Sequence, residues 1–132
     1  MPWRHWSLLS DDSRKGALAA EEVGAFRSSV SRSYYRAYQA ASAVLLCLGV
    51  TPPAERDAWT HAKTPDILYR ELTTRGWLKP AEGQELKSRM EVLYKLRVAA
   101  DYRATDPMSA NDAVTAIRES DIIVKIIQEW LP

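Results

Sequence analysis

Apolar positions along this chain recur at helical spacing almost from end to end. From about Trp6 to Val23, small, apolar and charged residues alternate in a loose helical pattern. A second helix is predicted from about Gly24 to Leu48, with Phe26, Val30, Tyr34, Ala37, Ala41, Val44 and Leu48 on one face. Gly49 supplies a left-handed stop, and Pro52-Pro53 prevents the helix from resuming. The stretch from Thr51 to Lys63 reads as a loop. Thr64-Pro65-Asp66 then reads as a helix start, with Thr64 as N-cap and Pro65 at the first helical position. This third helix carries Ile67, Leu68 and Leu72 and ends at Gly76. Pro80 opens a fourth, which ends before Asp106-Pro107. Ser109-Ala-Asn-Asp112 resembles a capping box with Asp in place of Glu. The fifth helix follows, with Ala113, Ala116, Ile117, Ser120, Val124, Ile127 and Leu131 on one stripe. No credible strand, repeat or long linker interrupts the series. The expected fold is an all-α, up-and-down bundle of about five helices, a single domain over 1–132.

The fourth helix carries an anomaly. Its apolar stripe runs through Leu86, Met90, Leu93 and Ala100, and the same stripe includes Arg97. A guanidinium cannot be neutralised, so burying it without a partner is very costly. Asp101 lies one turn further on the same face. A paired charge on a core-facing stripe is either a structural lock or part of a site that meets phosphate.

Composition narrows the function classes. The net charge of +1 gives no global argument for nucleic-acid binding, although Arg outnumbers Lys twelve to six and allows a local patch. Five Trp and six Tyr against one Phe is a skew toward aromatics with a polar handle, which favour edges and clefts. A single cysteine, Cys47, excludes an internal disulfide framework. No apolar leader and no bilayer-length apolar run are evident, so a cytoplasmic setting without membrane contact is the default expectation. The fifth helix also carries Ile122, Ile123, Ile126 and Trp130. So wide an apolar arc fits either a helix packed between two others or a self-association surface. If the chain dimerises, the fourth or fifth helix is the expected surface, with the Arg97 region in the shared cleft.

Standard catalytic signals are mostly absent. The five glycines are scattered, with no phosphate loop, and two histidines with one cysteine leave no metal-ligand cluster. No metal and no cofactor are implied. The adjacent carboxylates Asp11-Asp12 and Glu21-Glu22 read as solvated faces. One further stretch stands out: Arg27, Arg32 and Arg36 share the second helix with Tyr34, Tyr35 and Tyr38. Arginine with tyrosine suits phosphate contact and base stacking, but on composition alone a solvated charged face over a core edge is the favoured reading.

The run Ser31-Arg32-Ser33-Tyr34-Tyr35, then His61, then Leu96-Arg97-Val-Ala-Ala-Asp101-Tyr102 resembles the HEPN superfamily (higher eukaryotes and prokaryotes nucleotide-binding), over about residues 6 to 131. It is most similar to small bacterial and archaeal members with an S-R-x-Y-Y helix and an L-R-x-x-A-D-Y helix. The resemblance implies an up-and-down bundle, frequent homodimerisation and association with RNA or nucleotides. It also implies a toxin–antitoxin or defence setting beside a nucleotidyltransferase-type partner. Active members carry Arg-x(4–6)-His and cleave RNA without metal, the arginine steadying phosphate charge and the histidine moving a proton.

Here Arg97 matches the arginine, but Tyr102, Arg103 and Ala104 stand where the histidine belongs. Tyrosine, with a reference pKa of about 10, is a poor base at neutral pH. A literal Arg-x4-His string, Arg56 to His61, falls in the loop between helices two and three and reads as coincidence among twelve arginines. His61 remains a candidate if the fold returns it to Arg97. His5 lies near the chain's start and reads as incidental. Three readings follow. One is a binding and assembly module using Arg32, Tyr35, Arg36, Arg97, Asp101 and Tyr102. Another is a metal-independent endoribonuclease using Arg97 with Tyr102 or His61. The last is a structural helical dimer in which Arg97–Asp101 fixes packing register.

Overall fold

The computed structural model describes residues 2–54 and 56–132. Five helices follow one another: α1 (Pro2–Glu22), α2 (Phe26–Cys47), α3 (Thr64–Thr74), α4 (Pro80–Tyr102) and α5 (Ala110–Gln128). The expected five-helix, all-α bundle is the observed architecture, with no strand among the described residues.

α2 is the central element and packs against the other four. Leu45, Leu68, Leu72, Leu86, Met90, Leu93, Ile123 and Ile127 are fully buried and come from α2, α3, α4 and α5. α1 contributes differently. It forms an antiparallel hairpin with α2, and the residues that it buries are small: Ser10, Ser13 and Ala17. Ser10 Oγ donates to the Arg36 carbonyl at 2.8 Å, and Ser29 Oγ to the Ala17 carbonyl at 2.8 Å. A buried face of serine and alanine explains why the apolar period of this segment is loose. It also lets the two backbones approach closely.

Several local expectations hold. Gly49 has φ 78°, and the amides of Val50 and Gly49 return to the carbonyls of Leu45 and Leu46, a Schellman stop. Ser109 and Asp112 form the reciprocal box, with Ser109 N–H donating to Asp112 Oδ2 at 2.8 Å and Asp112 N–H to Ser109 Oγ at 3.3 Å. Three boundaries differ. α1 starts at Pro2, not near Trp6, because Trp6 packs edge-on against Tyr38 and draws the first turn onto the bundle. α2 starts at Phe26, because Gly24 takes φ 79° in the turn. Lys63, not Thr64, caps α3. Thr64 is buried within the helix, and its hydroxyl donates back to the Thr60 carbonyl at 2.8 Å.

Most of the wide apolar arc of α5 packs inside the chain, and Ile122 is half-buried. Ile123 is fully buried, while Ile126 and Trp130 pack against the core, and Trp130 stacks on Trp77 with ring centroids 4.7 Å apart. The α3–α4 connection is thereby pinned to the end of α5.

Candidate functional site

Arg97 occupies the buried stripe of α4 as its spacing requires, and is 7% exposed. Tyr35 of α2 receives Nη2–H at 2.7 Å, and Tyr102 receives it at 3.3 Å. Asp101 Oδ2 lies 2.9 Å from Nε, an ion pair whose N–H points off the oxygen, so Nε has no hydrogen-bond partner among the described residues. Three aromatic faces surround the cation, with Arg97 Cζ 5.8, 5.3 and 5.1 Å from the ring centroids of Tyr34, Tyr35 and Tyr102. Burial opposes the charge, but the electron-rich Tyr35 and Tyr102 and the carboxylate of Asp101 outweigh it and raise the pKa further. Ser31 Oγ donates to Asp101 Oδ2 at 3.2 Å and ties the carboxylate back to α2.

The fold returns His61 to this cluster. Its ring lies against Tyr34, Tyr35, Tyr38 and Tyr94, with centroids 5.4, 5.6, 4.3 and 6.4 Å away, and Nδ1 is 2.7 Å from the Tyr34 hydroxyl. Tyr38 donates its hydroxyl proton to the Trp59 carbonyl, and Trp59 is itself buried, so the loop is held two residues before His61. Burial, and then the nearby Arg97 charge, push the His61 pKa below its ordinary value. The ring is therefore neutral at pH 7. Burial drives the Tyr34 pKa far upward, so that hydroxyl keeps its proton. No hydrogen bond joins His61 to Arg97 or Tyr102 among the described residues.

The three arginines of α2 do not form one patch. Arg36 pairs with Asp121 of α5, which Arg14 of α1 also meets at 3.3 Å. Arg32 is exposed and lies along α1 beside Gly16. Neither joins Arg97. A cleft shared by Arg97 and an α2 arginine of the 32–36 run is thus not what the fold builds, because residues 32 and 36 face α1 and α5 while Tyr34 and Tyr35 face α4.

Arg27 does something the composition did not reveal. Its Nη1 donates to the carbonyls of Ala99 and Ala100 at 3.0 Å each and of Arg103 at 3.2 Å, while Nη2 donates to those of Ala104, at 3.3 Å, and Asp106. The guanidinium closes the end of α4, where orphan carbonyls and the negative pole of the helix dipole lie. The signal was available: Arg27 falls on the Tyr34–Tyr38 stripe of α2, two turns before Tyr34. A cation on a core-facing stripe needs acceptors, and only a helix end offers so many.

Tyr102, one of the three rings of the cage, is 70% exposed. A groove of about 420 Å³ is lined by Tyr94, Lys95, Val98 and Arg103, the last being the residue after Tyr102. Neither cation has an acidic partner within 4 Å among the described residues. Lys95, Val98 and Tyr102 share one stripe of α4. No group of three or more His, Cys, Asp or Glu among the described residues is placed to hold a metal ion. Among the described residues, no helix is long and apolar enough to cross a membrane.

An all-α bundle with a caged arginine near the end of its fourth helix defines the class. The HEPN domain family model matches residues 4–130, nearly the whole chain, and the chain belongs to the HEPN family. No curated protein matches it.

Proposed function

We propose that this HEPN domain is a binding and assembly module for RNA or nucleotides, and that its contact surface is the solvent edge of α4. The observation that carries the reading is Tyr102. Its ring is exposed, yet held against the Arg97 guanidinium and followed by a groove with two unpaired cations. A fixed aromatic face beside free Lys and Arg is what stacking on a base and neutralising its phosphates require. Asp101 and Tyr35 orient Arg97, and Arg27 fixes the helix end that bears Tyr102. Arg32 and Arg36 lie outside this surface, and the free cations on it are Lys95 and Arg103. A toxin–antitoxin or defence setting, a nucleotidyltransferase-type partner and a homodimer follow from the family resemblance and belong to the same reading, as does a cytoplasmic location.

A ribonuclease reading is favoured by one observation: a neutral histidine lies in the same cluster as Arg97. General-base work would need the tautomer in which Nδ1–H donates to Tyr34 and Nε2 is bare. If Tyr34 donates instead, Nε2 carries the proton and the ring offers only a donor.

Fluorescence anisotropy of labelled single-stranded RNA in excess EDTA tests both readings, with the same samples run on a gel. Tyr102→Ala and the double variant Lys95→Glu, Arg103→Glu should each weaken binding by about tenfold or more, with unchanged thermal melting. The RNA should stay intact. Absence of binding by the wild type at low salt, or variants that bind as well as it does, would overturn the module reading. Cleavage abolished by His61→Gln and by Arg97→Lys in folded protein would replace it with the nuclease.

A further inference from the structure

His61 is fixed beside the surface that carries Tyr94, Arg97 and Tyr102, and its ring is half-buried there. Two hydrogen bonds hold it: the Tyr34 hydroxyl meets Nδ1 at 2.7 Å, and Tyr38 donates to the Trp59 carbonyl two residues earlier. Ala58 and Trp59 are buried, so the ring cannot swing away without bringing apolar surface into water. Tyr94 belongs to both places. It lines the groove with Lys95, Val98 and Arg103, and its ring lies 6.4 Å from that of His61 with the planes 11° apart. Tyr94 thus joins the histidine to the groove.

The groups that face the ring decide what a proton on it does. From α2 these are Tyr34, Tyr35 and Tyr38, and from α4 they are Tyr94 and Arg97. On the loop itself, Arg56 acts on Tyr38. Tyrosines keep their protons across the range in which histidine titrates. No carboxylate lies within 4 Å of the ring among the described residues. In the free protein, burial and then Arg97 disfavour an imidazolium. An anion in the groove opposes both effects, because its charge attracts the imidazolium. Lys95 and Arg103, which have no acidic partner among the described residues, are placed to hold such an anion.

We propose that His61 regulates the α4 surface by proton linkage: a phosphate-bearing ligand binds there together with one proton on His61, so that acid tightens binding. The inference rests on the proposed reading for the ligand itself and adds how that site is regulated. His61 touches no ligand in this account and acts only through its charge. The sign follows from linkage. A bound anion raises the pKa of His61, so affinity rises as pH falls through the pKa of the complex and levels off below that of the free protein. A phosphate against Tyr94 lies roughly 10 Å from the imidazole, where one unit charge changes affinity about threefold at an effective dielectric between those of a protein surface and water.

Fluorescence anisotropy of labelled oligouridylate, whose own charge is constant over the histidine range, tests the inference between about pH 5 and about pH 7.5 at low salt in EDTA. The wild type should bind about threefold more tightly at the acid end. His61→Gln should bind with one affinity throughout, and His5→Gln should follow the wild type. Reciprocity supplies a second measurement that does not depend on the His61 variant. The His61 ring resonances, assigned by NMR with His5→Gln, should titrate about half a pH unit higher with the strand bound. An affinity that is independent of pH, or that falls in acid, would overturn the linkage and leave the binding module standing. A response that survives in His61→Gln would overturn it too, as would a His61 titration that the strand does not move. A wild type that binds at no pH would overturn the module reading and the linkage together.

Discussion

Arg97 and Arg36 are both largely buried guanidiniums, both bridge α2 to another helix, and both face a carboxylate, yet they are built for different work. Arg36 sits between α1 and α5, where burial lowers its pKa and Asp121 offsets that only in part. That carboxylate is shared with Arg14, and no aromatic ring lies over the cation among the described residues. Arg97 has three tyrosine faces, two hydroxyl acceptors and a carboxylate, and its pKa rises despite burial. A point charge would serve at Arg36. At Arg97 the planar fork and its stacking are what the surroundings fit. Near Arg36 the surface is an ion-pair strut, whereas near Arg97 it opens onto an exposed tyrosine and a groove.

The largest effect should come from removing the caged cation. Arg97→Ala is expected to cost about 3 kcal/mol or more, because it leaves the Tyr35 hydroxyl and Asp101 without their partner inside an aromatic cluster. A denaturant midpoint equal to that of the wild type would show the cage to be ornament. Arg36→Ala should cost less, about 1–2 kcal/mol, since Asp121 keeps Arg14 and is partly solvated. The lysine variants sharpen the contrast. Arg36→Lys should recover most of its loss, and Arg97→Lys little of it. Equal recovery at the two positions would erase the distinction.

His61 gives a pH signature to the Arg97 side alone. Tyr34, Tyr35, Tyr38 and Tyr94 pack against it and Arg97 repels its protonated form, so its folded pKa lies below the ordinary value of 6.5. As pH falls, the unfolded chain takes up the proton first. The stability owed to the neutral ring is complete above about pH 6.5, declines as pH falls from there to the folded pKa, and is level below it. Melting temperature against pH should show this decline for the wild type and not for His61→Gln. Superimposable curves would remove the histidine from the argument. The smallest effect is expected at Tyr102→Ala, within about 0.5 kcal/mol by denaturation, because the ring is already in water. A loss of several kcal/mol there would make Tyr102 part of the lock and not of the contact surface.

Much of the site could be read from the chain. Arg97 on a buried stripe, Asp101 one turn on, and the two tyrosine-bearing motifs all follow from helical spacing, and the cage is where that spacing leads. Arg27 was equally legible, because it does not share a face of α2 with Arg32 or Arg36. Their angular positions send them to α4, α1 and α5 separately. The loose period of α1 had a physical cause as well, since its buried side chains are serine and alanine, and apolar patterning cannot register a close-packed face of small residues.

The sequence by itself determined the number of helices, the Gly49 and Ser109 boundaries, and the presence of a charge in the core, because each depends on neighbours within a turn or two. Only the tertiary structure decided that His61 meets Tyr34, that Arg36 meets Asp121, and that α5 packs most of its apolar arc inside the chain. Those contacts join residues 27, 85 and many more positions apart. Their choice depends on which helix faces pack together, a property of the whole bundle that local spacing does not encode.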